Sequence, residues 1–117
     1  MLAQYLDLTE QLNADGYASF ETSNYDYAVV QIIGQSGTMD FLLTINSGAI
    51  QGVTDGNILT SLNYSQTYAT QLIDGTLTTS SNSGNGLYRF NVVGRYIKIG
   101  KKGATVNKLL VMLAKIS

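Results

Sequence analysis

Alternating hydrophobic and polar positions along the chain predict short β-strands with one face turned towards a core. Residues 17–21 alternate in this way, with Phe20 on the apolar face. Residues 86–93 repeat the pattern, and Gly94 then indicates a bulge or bend before the strand resumes over residues 95–99. These segments are typical of half-buried strands in an antiparallel sheet.

Two other segments are apolar on both faces. Residues 27–33 and 38–45 are rich in β-branched and aromatic residues, and the four-residue loop 34–37 has glycine at both ends. This arrangement predicts an antiparallel hairpin. Val29 and Ile33 point to the face opposite that of their apolar neighbours, so both faces of this strand need a cover.

The longest apolar run, residues 105–116, follows a Lys-Gly turn and has no helix cap, which favours a final long strand over a helix. A two-layer sandwich of this size buries only one face of each sheet. The second face needs another cover, either residues 1–12 as an N-terminal arm or a neighbouring subunit. The candidate residues for a subunit interface are Leu110, Met112, Ala114, Val29 and Ile33.

The remaining pattern consists of short strands and turns. Residues 1–12 allow a helical turn pattern as well as a strand, and they are interpreted as a short edge strand or arm, with residues 13–16 as a turn. Irregular strands and a long loop are expected over residues 46–59, a hairpin turn at Asp74 and Gly75, and an unpacked loop tip over residues 80–86. Eight to ten short strands with frequent turns predict an all-β fold, an antiparallel β-sandwich of jelly-roll type, with residues 1–117 forming a single domain.

The amino-acid composition leaves few residues that could carry out enzyme catalysis. The chain of 117 residues contains no Cys, His, Trp or Pro, 44% of its residues are hydrophobic and only 13% are charged. Residues that serve as nucleophiles, transition-metal ligands and proton carriers at neutral pH are therefore scarce. We expect a protein that is not an enzyme and binds no cofactor. The absence of cysteine fits folding in a reducing compartment.

Charge and hydropathy bear on whether the chain binds nucleic acid or a membrane. The net charge is −1, and the nearest approach to a basic cluster is a group of four lysines, interpreted as a solvated turn: Lys98, Lys101, Lys102 and Lys108. Nucleic acid is therefore not expected as a partner. No apolar run approaches the length of a membrane span, and the N-terminus lacks the pattern of a signal peptide.

Two segments offer weaker binding hypotheses. Asp55, Gly56 and Asn57 supply the beginning of a Ca²⁺ site, but a tight turn explains them equally, and no metal is predicted. Tyr64 and Tyr68 lie in a Ser/Thr/Gln stretch and are candidates for stacking on a sugar ring. Packing at a core rim or a protein interface is the commoner role of such tyrosines.

The sequence pattern of four segments resembles that of small β-sandwich structural proteins of tailed-bacteriophage virions, of the capsid decoration or head-associated type. The segments are VVQIIGQSGTMDF, GAIQGVTDGN, GLYRFNVVGRYIKI and KLLVMLAKI, and the resemblance covers residues 27–117. It implies a virion component, made in the host bacterial cytoplasm and located on the capsid surface, which stabilises the shell without catalysis.

The partners implied by this resemblance are the major capsid protein or other virion proteins and further copies of the chain, with a homotrimer favoured. The alternative is a carbohydrate- or receptor-binding module of a phage fibre or tail component, with Tyr64 and Tyr68 as the contact residues.

Overall fold

The computed structural model describes residues 2–45, 64–91 and 96–116. In these ranges, eleven strands and one short helix follow one another along the chain: β1 (Leu2–Asp7), α1 (Thr9–Asp15), β2 (Tyr17–Glu21), β3 (Tyr27–Gln35), β4 (Met39–Thr44), β5 (Ser65–Gln66), β6 (Ala69–Gln71), β7 (Leu77–Thr78), β8 (Ser80–Ser81), β9 (Gly84–Phe90), β10 (Tyr96–Gly100) and β11 (Lys108–Lys115). Over the same ranges, no helix is long and apolar enough to cross a membrane.

The strands form two antiparallel sheets. The six-stranded sheet has the order β1-β11-β3-β9-β6-β7, and the five-stranded sheet has the order β2-β10-β4-β5, with β8 also paired to β4. Strands β1 to β4 alternate between the two sheets, as do β9 to β11. This alternation confirms the predicted jelly-roll sandwich and places the two ends of the chain side by side, because β1 pairs with β11.

The hydrophobic core lies between the sheets. Inward-facing residues of β11 are almost completely buried, and so are their counterparts on β3 and β10. Phe41 on the five-stranded sheet meets two aromatic rings of the six-stranded sheet edge to face, with centroid distances of 5.1 Å to both Tyr88 and Phe90. In β2, the alternation of apolar and polar residues matches the side that joins the core.

Several predicted elements are confirmed. Residues 17–21 form β2, the alternating segment after residue 86 lies in β9, and the C-terminal run forms a strand and no helix. The turn at Asp74 and Gly75 joins β6 to β7, which pair antiparallel. The Asp74 carboxylate accepts hydrogen bonds from the backbone and hydroxyl of Thr76, which explains why this residue type suits the turn.

The predicted hairpin over residues 27–45 is wrong. Both strands exist, but β3 belongs to the six-stranded sheet and β4 to the five-stranded sheet. Gly34 and Gly37 have φ angles of 66° and 82°, a backbone conformation that glycine adopts freely and that turns the chain across the sandwich. Between them, Ser36 bonds to the backbone of Thr105, so the connection is tied to the chain just before β11.

The predicted unpacked loop over residues 80–86 is also wrong. Ser80 and Ser81 form β8 against β4, and β9 already begins at Gly84. Ser81 is completely buried, and its carbonyl accepts a hydrogen bond of 3.0 Å from the Gln35 amide. Small polar residues pack here because their backbone groups are satisfied by a neighbouring strand.

The N-terminal segment forms an edge strand followed by a helix that the pattern did not predict. Strand β1 pairs with β11, and α1 occupies much of the segment expected to be a turn. Gly16 ends the helix with a φ of 80° and donates its N–H to Leu12 at 2.7 Å. The Asn13 amide exchanges hydrogen bonds with the backbone of Val106, and these contacts hold the helix against the chain before β11. The expectations for residues 46–59 and for Gly94 lie outside the described residues.

Candidate interaction surface

The outer face of the six-stranded sheet, which points away from the core, is largely apolar at its centre. We call this region the apolar patch. It consists of one or two side chains from each of four neighbouring strands: Tyr5, Val29, Ile33, Leu87, Leu110 and Met112.

Strand register brings these side chains together. Met112 lies directly opposite Tyr5 on β1 and Val29 on β3, so the three form a row across the sheet. Leu110, two residues away on the same face, lies opposite Asp7 and Gln31. Side chains opposite one another in antiparallel strands contact each other, so Tyr5, Met112 and Val29 form one apolar row, while the exposed Gln31 lies between Leu110 and Leu87.

The patch is concave. A depression of about 390 Å³ is lined by Tyr5, Val29, Leu87, Leu110 and Met112 together with neighbouring atoms. A second depression of about 370 Å³ adjoins it, because Gln31 and Leu87 line both, and it extends to Ile73, which is 92% exposed. Apolar surface of this kind is typical of sites that bind another macromolecule.

Four of the five interface candidates from the sequence lie on this face. Val29, Ile33, Leu110 and Met112 are half-buried there. Ala114 is completely buried within the chain, where it lies opposite Ala3 and Tyr27, and so it offers no surface to a partner.

Sequence reasoning missed Tyr5 and Leu87 as members of the patch. The signal for Leu87 was present, since it occupies the polar-face side of the alternating β9 segment beside Tyr88. Tyr5 alternates with Leu6, which packs against the core. That Tyr5 and Leu87 lie near Met112 can be recognised only when the order of the strands in the sheet is known.

Charged groups lie beside the patch and not within its centre. The Lys108 ammonium is 3.7 Å from the Asp7 carboxylate, and the Arg89 guanidinium lies 4.2 Å from the centroid of the Tyr27 ring. Hydrogen bonds from Thr9, and to a smaller extent Lys108, hold the pKa of Asp7 below its usual value. An apolar centre with polar neighbours is the common anatomy of protein interfaces.

The outer face of the five-stranded sheet is different, and it corrects the interpretation of Lys98 as part of a solvated turn. Lys98 is only 8% exposed, whereas Lys101, Lys102 and Lys108 are exposed as expected. Its ammonium lies 4.3 Å from the ring centroid of Tyr17, a cation–π contact. Burial lowers the pKa of Lys98. The sequence did contain a signal for this position, because Lys98 lies between Ile97 and Ile99 in a segment with a strand pattern.

The two tyrosines proposed for sugar stacking have different surroundings. Tyr64 is half-buried, with its ring 5.4 Å from the Lys98 ammonium and its hydroxyl enclosed without a hydrogen-bond partner in the described part of the chain. Burial, and then the neighbouring Tyr96, raises the pKa of Tyr64 to about 12. Tyr68 is 63% exposed in the connection that crosses from β5 to β6. Among the described rings, no aromatic contact joins the two.

The described ranges contain no cluster of three acidic, histidine or cysteine side chains that could hold a metal ion. The segment proposed as the beginning of a Ca²⁺ site, residues 55–57, lies outside those ranges.

Comparisons with known proteins show the fold. No protein-family model and no curated protein matches the sequence. The chain is similar to the crystal structure of the SPBc2 prophage-derived protein YomS, with a TM-score of 0.62 and 13% sequence identity over 96% of this chain and 91% of that chain. The two proteins therefore share a two-sheet architecture over nearly their whole lengths.

Proposed function

We propose that this chain is a non-enzymatic structural protein of a bacteriophage virion, a capsid decoration protein that self-associates and docks on the capsid shell. The observation that supports this most is the apolar patch. Its side chains face away from the core, two of them exposed and four half-buried, and a partner would remove their remaining apolar surface from water.

Two further observations favour a virion role. The protein similar in fold is prophage-derived. The sequence also resembles virion proteins of the decoration type in the segments that form β3, β9, β10 and β11. The partners under this proposal are the major capsid protein or other virion proteins, together with further copies of the chain, and the resemblance favours three copies.

Such a protein would act by mass action. A molecule that binds only the assembled shell lowers the free energy of that state by its own binding free energy, and the effect is repeated at every copy. No catalytic group and no cofactor is needed. The protein would be made in the cytoplasm of the host bacterium and retained on the capsid surface.

Self-association is tested by light scattering on the wild-type protein and on Leu110→Asp. A carboxylate at this position would be desolvated in an interface, so we expect the dissociation constant to rise at least about tenfold. Leu42→Asp is the control for folding, since Leu42 is half-buried on the outer face of the other sheet, where the new carboxylate would lie opposite Lys98. A wild-type protein that is monomeric at micromolar concentration, or equal effects of both variants, would contradict the proposal.

The alternative of a carbohydrate- or receptor-binding module is distinguished on a glycan array. A small sugar site depends on few contacts, so the double variant Tyr64→Ala and Tyr68→Ala would lose most of its signal. Specific glycan binding that disappears in this variant, from a protein that does not bind shells, would replace the decoration proposal with the receptor-binding one.

A further inference from the structure

Strand β1 is an exposed edge of the six-stranded sheet. It pairs with β11 on one side, and within the described residues no strand pairs with its other side. Leu2 and Tyr5 are 62% and 75% exposed, and of the six residues of the strand only Leu6 is half-buried.

The hydrogen bonds to β11 establish which backbone groups of β1 point outward. The Leu8 N–H donates to the Leu109 carbonyl at 2.9 Å, so Leu8 faces β11. Because facing and outward residues alternate in an antiparallel ladder, Ala3, Tyr5 and Asp7 direct their N–H and C=O groups away from the sheet. These groups form a regular row that another strand can bond.

At six residues, β1 is the longest of the described edge strands. Strands β5 and β7 have only two residues each, and β2 contacts α1. In β1 there is no proline and no lysine, and its register with β11 is unbroken over six residues. Its single charged residue, Asp7, is already paired with Lys108. Bulges, proline and lysine are the devices that usually keep edge strands apart.

We propose that β1 pairs antiparallel with β1 of a second copy of this chain, about a twofold axis at Tyr5. In this register Tyr5 lies opposite its own copy, and Ala3 lies opposite Asp7. The three outward residues of each copy then form three hydrogen-bonded pairs across the contact, and each pair exchanges two backbone hydrogen bonds. If one strand is moved by two residues along the other, only two of these pairs remain. The two Asp7 carboxylates lie at opposite ends of the contact, and like charges do not meet.

This contact goes beyond the proposed function, because its hydrogen bonds come from the backbone edge of β1, and of the apolar patch it involves only the Tyr5 side chain. Pairing at β1 would join two six-stranded sheets into one and bring their two patches side by side, with both still open to a further partner. It requires an even number of copies, in place of the three that the resemblance favours, and it does not depend on a virion role.

Cysteine cross-linking tests the register, because the chain contains no cysteine of its own. In Tyr5→Cys the paired Cα atoms would be about 5.5 Å apart, within the range of a disulfide. In Ala3→Cys the two cysteines would be separated by four residues along the strand, about 13 Å. Mild oxidation should convert most of Tyr5→Cys to a covalent dimer and little of Ala3→Cys. A mixture of Ala3→Cys with Asp7→Cys should cross-link. Equal cross-linking of Tyr5→Cys and Ala3→Cys, or none in either, would overturn the proposal.

A second variant tests the hydrogen bonds. Tyr5→Pro removes an outward N–H and leaves the pairs with β11 intact, so it should fold and weaken dimerisation at least about tenfold. Tyr5→Thr retains the N–H and removes the same ring from the apolar patch, so it should dimerise markedly more tightly than Tyr5→Pro, with circular dichroism as the check on folding in both. An assembly of three copies that Tyr5→Pro does not change would refute the edge contact and leave the virion proposal standing.

Discussion

Phe41 is the side chain that most directly joins the two sheets, and its removal tests the packing of the sandwich. Phe41 is completely buried on β4 and meets Tyr88 and Phe90 on β9 edge to face. Phe41→Ala therefore removes one ring from two aromatic contacts and leaves a cavity between the sheets. We expect the variant to fold with the same topology and to be much less stable.

The magnitude follows from the burial. Replacing a buried phenylalanine by alanine typically costs about 3–5 kcal/mol, of which each edge-to-face contact contributes roughly 0.5–1.5 kcal/mol. A domain of this size has a free energy of unfolding of about 5–15 kcal/mol. The variant should therefore lose a large share of its stability, and its melting temperature should fall by roughly 10–20 °C.

The assay is urea unfolding followed by tyrosine fluorescence and circular dichroism, at one protein concentration because self-association adds to the apparent stability. Tyr68→Ala is the matched control, since it removes an aromatic ring that is 63% exposed, and it should change the free energy of unfolding by no more than about 0.5 kcal/mol. Equal losses in the two variants, or a loss below about 1 kcal/mol for Phe41→Ala, would refute this description of the core.

Three further predictions concern groups outside the patch, and one concerns metal binding. Because burial raises the pKa of Tyr64 to about 12, above its value of 10 in the unfolded chain, its contribution to stability should be complete below pH 10 and disappear as the pH rises to 12. Urea unfolding at pH 9 and 11.5 should show this loss in wild type and a smaller one in Tyr64→Phe. Lys98→Met should raise the free energy of unfolding at pH 7, measured by urea denaturation, by up to about 1 kcal/mol, since burial disfavours the ammonium. A lower free energy of unfolding in the variant would instead show that the cation–π contact stabilises the fold by more than the desolvation of the ammonium costs. Gly16→Ala should destabilise by about 1 kcal/mol in thermal unfolding, because alanine is strained at a φ of 80°. EDTA should leave the melting temperature unchanged, and a drop of several degrees would instead reveal an ion bound near residues 55–57.

Local pattern predicts strands well because alternation depends only on neighbouring residues. The segments that became β2, β9 and β10 were recognised in this way, whereas β11 was predicted from its long apolar run without a helix cap. Strand pairing depends on the path of the chain, and the predicted hairpin therefore failed where two glycines turn the chain from one sheet to the other. The helix α1 was missed because it has only seven residues, a single buried residue, Leu12, and no side-chain cap at its start.

The candidate surface shows the same limit. Side-chain alternation alone placed Leu110 and Met112 on one face of β11 and Val29 on one face of β3, and the structure joins these faces. Alternation also grouped Ala114 with them, but its burial is determined by neighbouring strands, which the sequence pattern does not specify. Tyr5 joins the patch only because the jelly-roll order places the first strand beside the last.

Shell binding by the apolar patch is the central claim, and co-sedimentation with purified capsid shells that lack this protein tests it most directly. The three samples are wild type, Met112→Asp in the patch, and Leu42→Asp on the other outer face. We predict that wild type and Leu42→Asp sediment with the shells at low micromolar concentration and that Met112→Asp binds at least about tenfold more weakly, while all three remain folded by circular dichroism. Sedimentation of Met112→Asp equal to that of wild type, or no binding by wild type, would contradict the account.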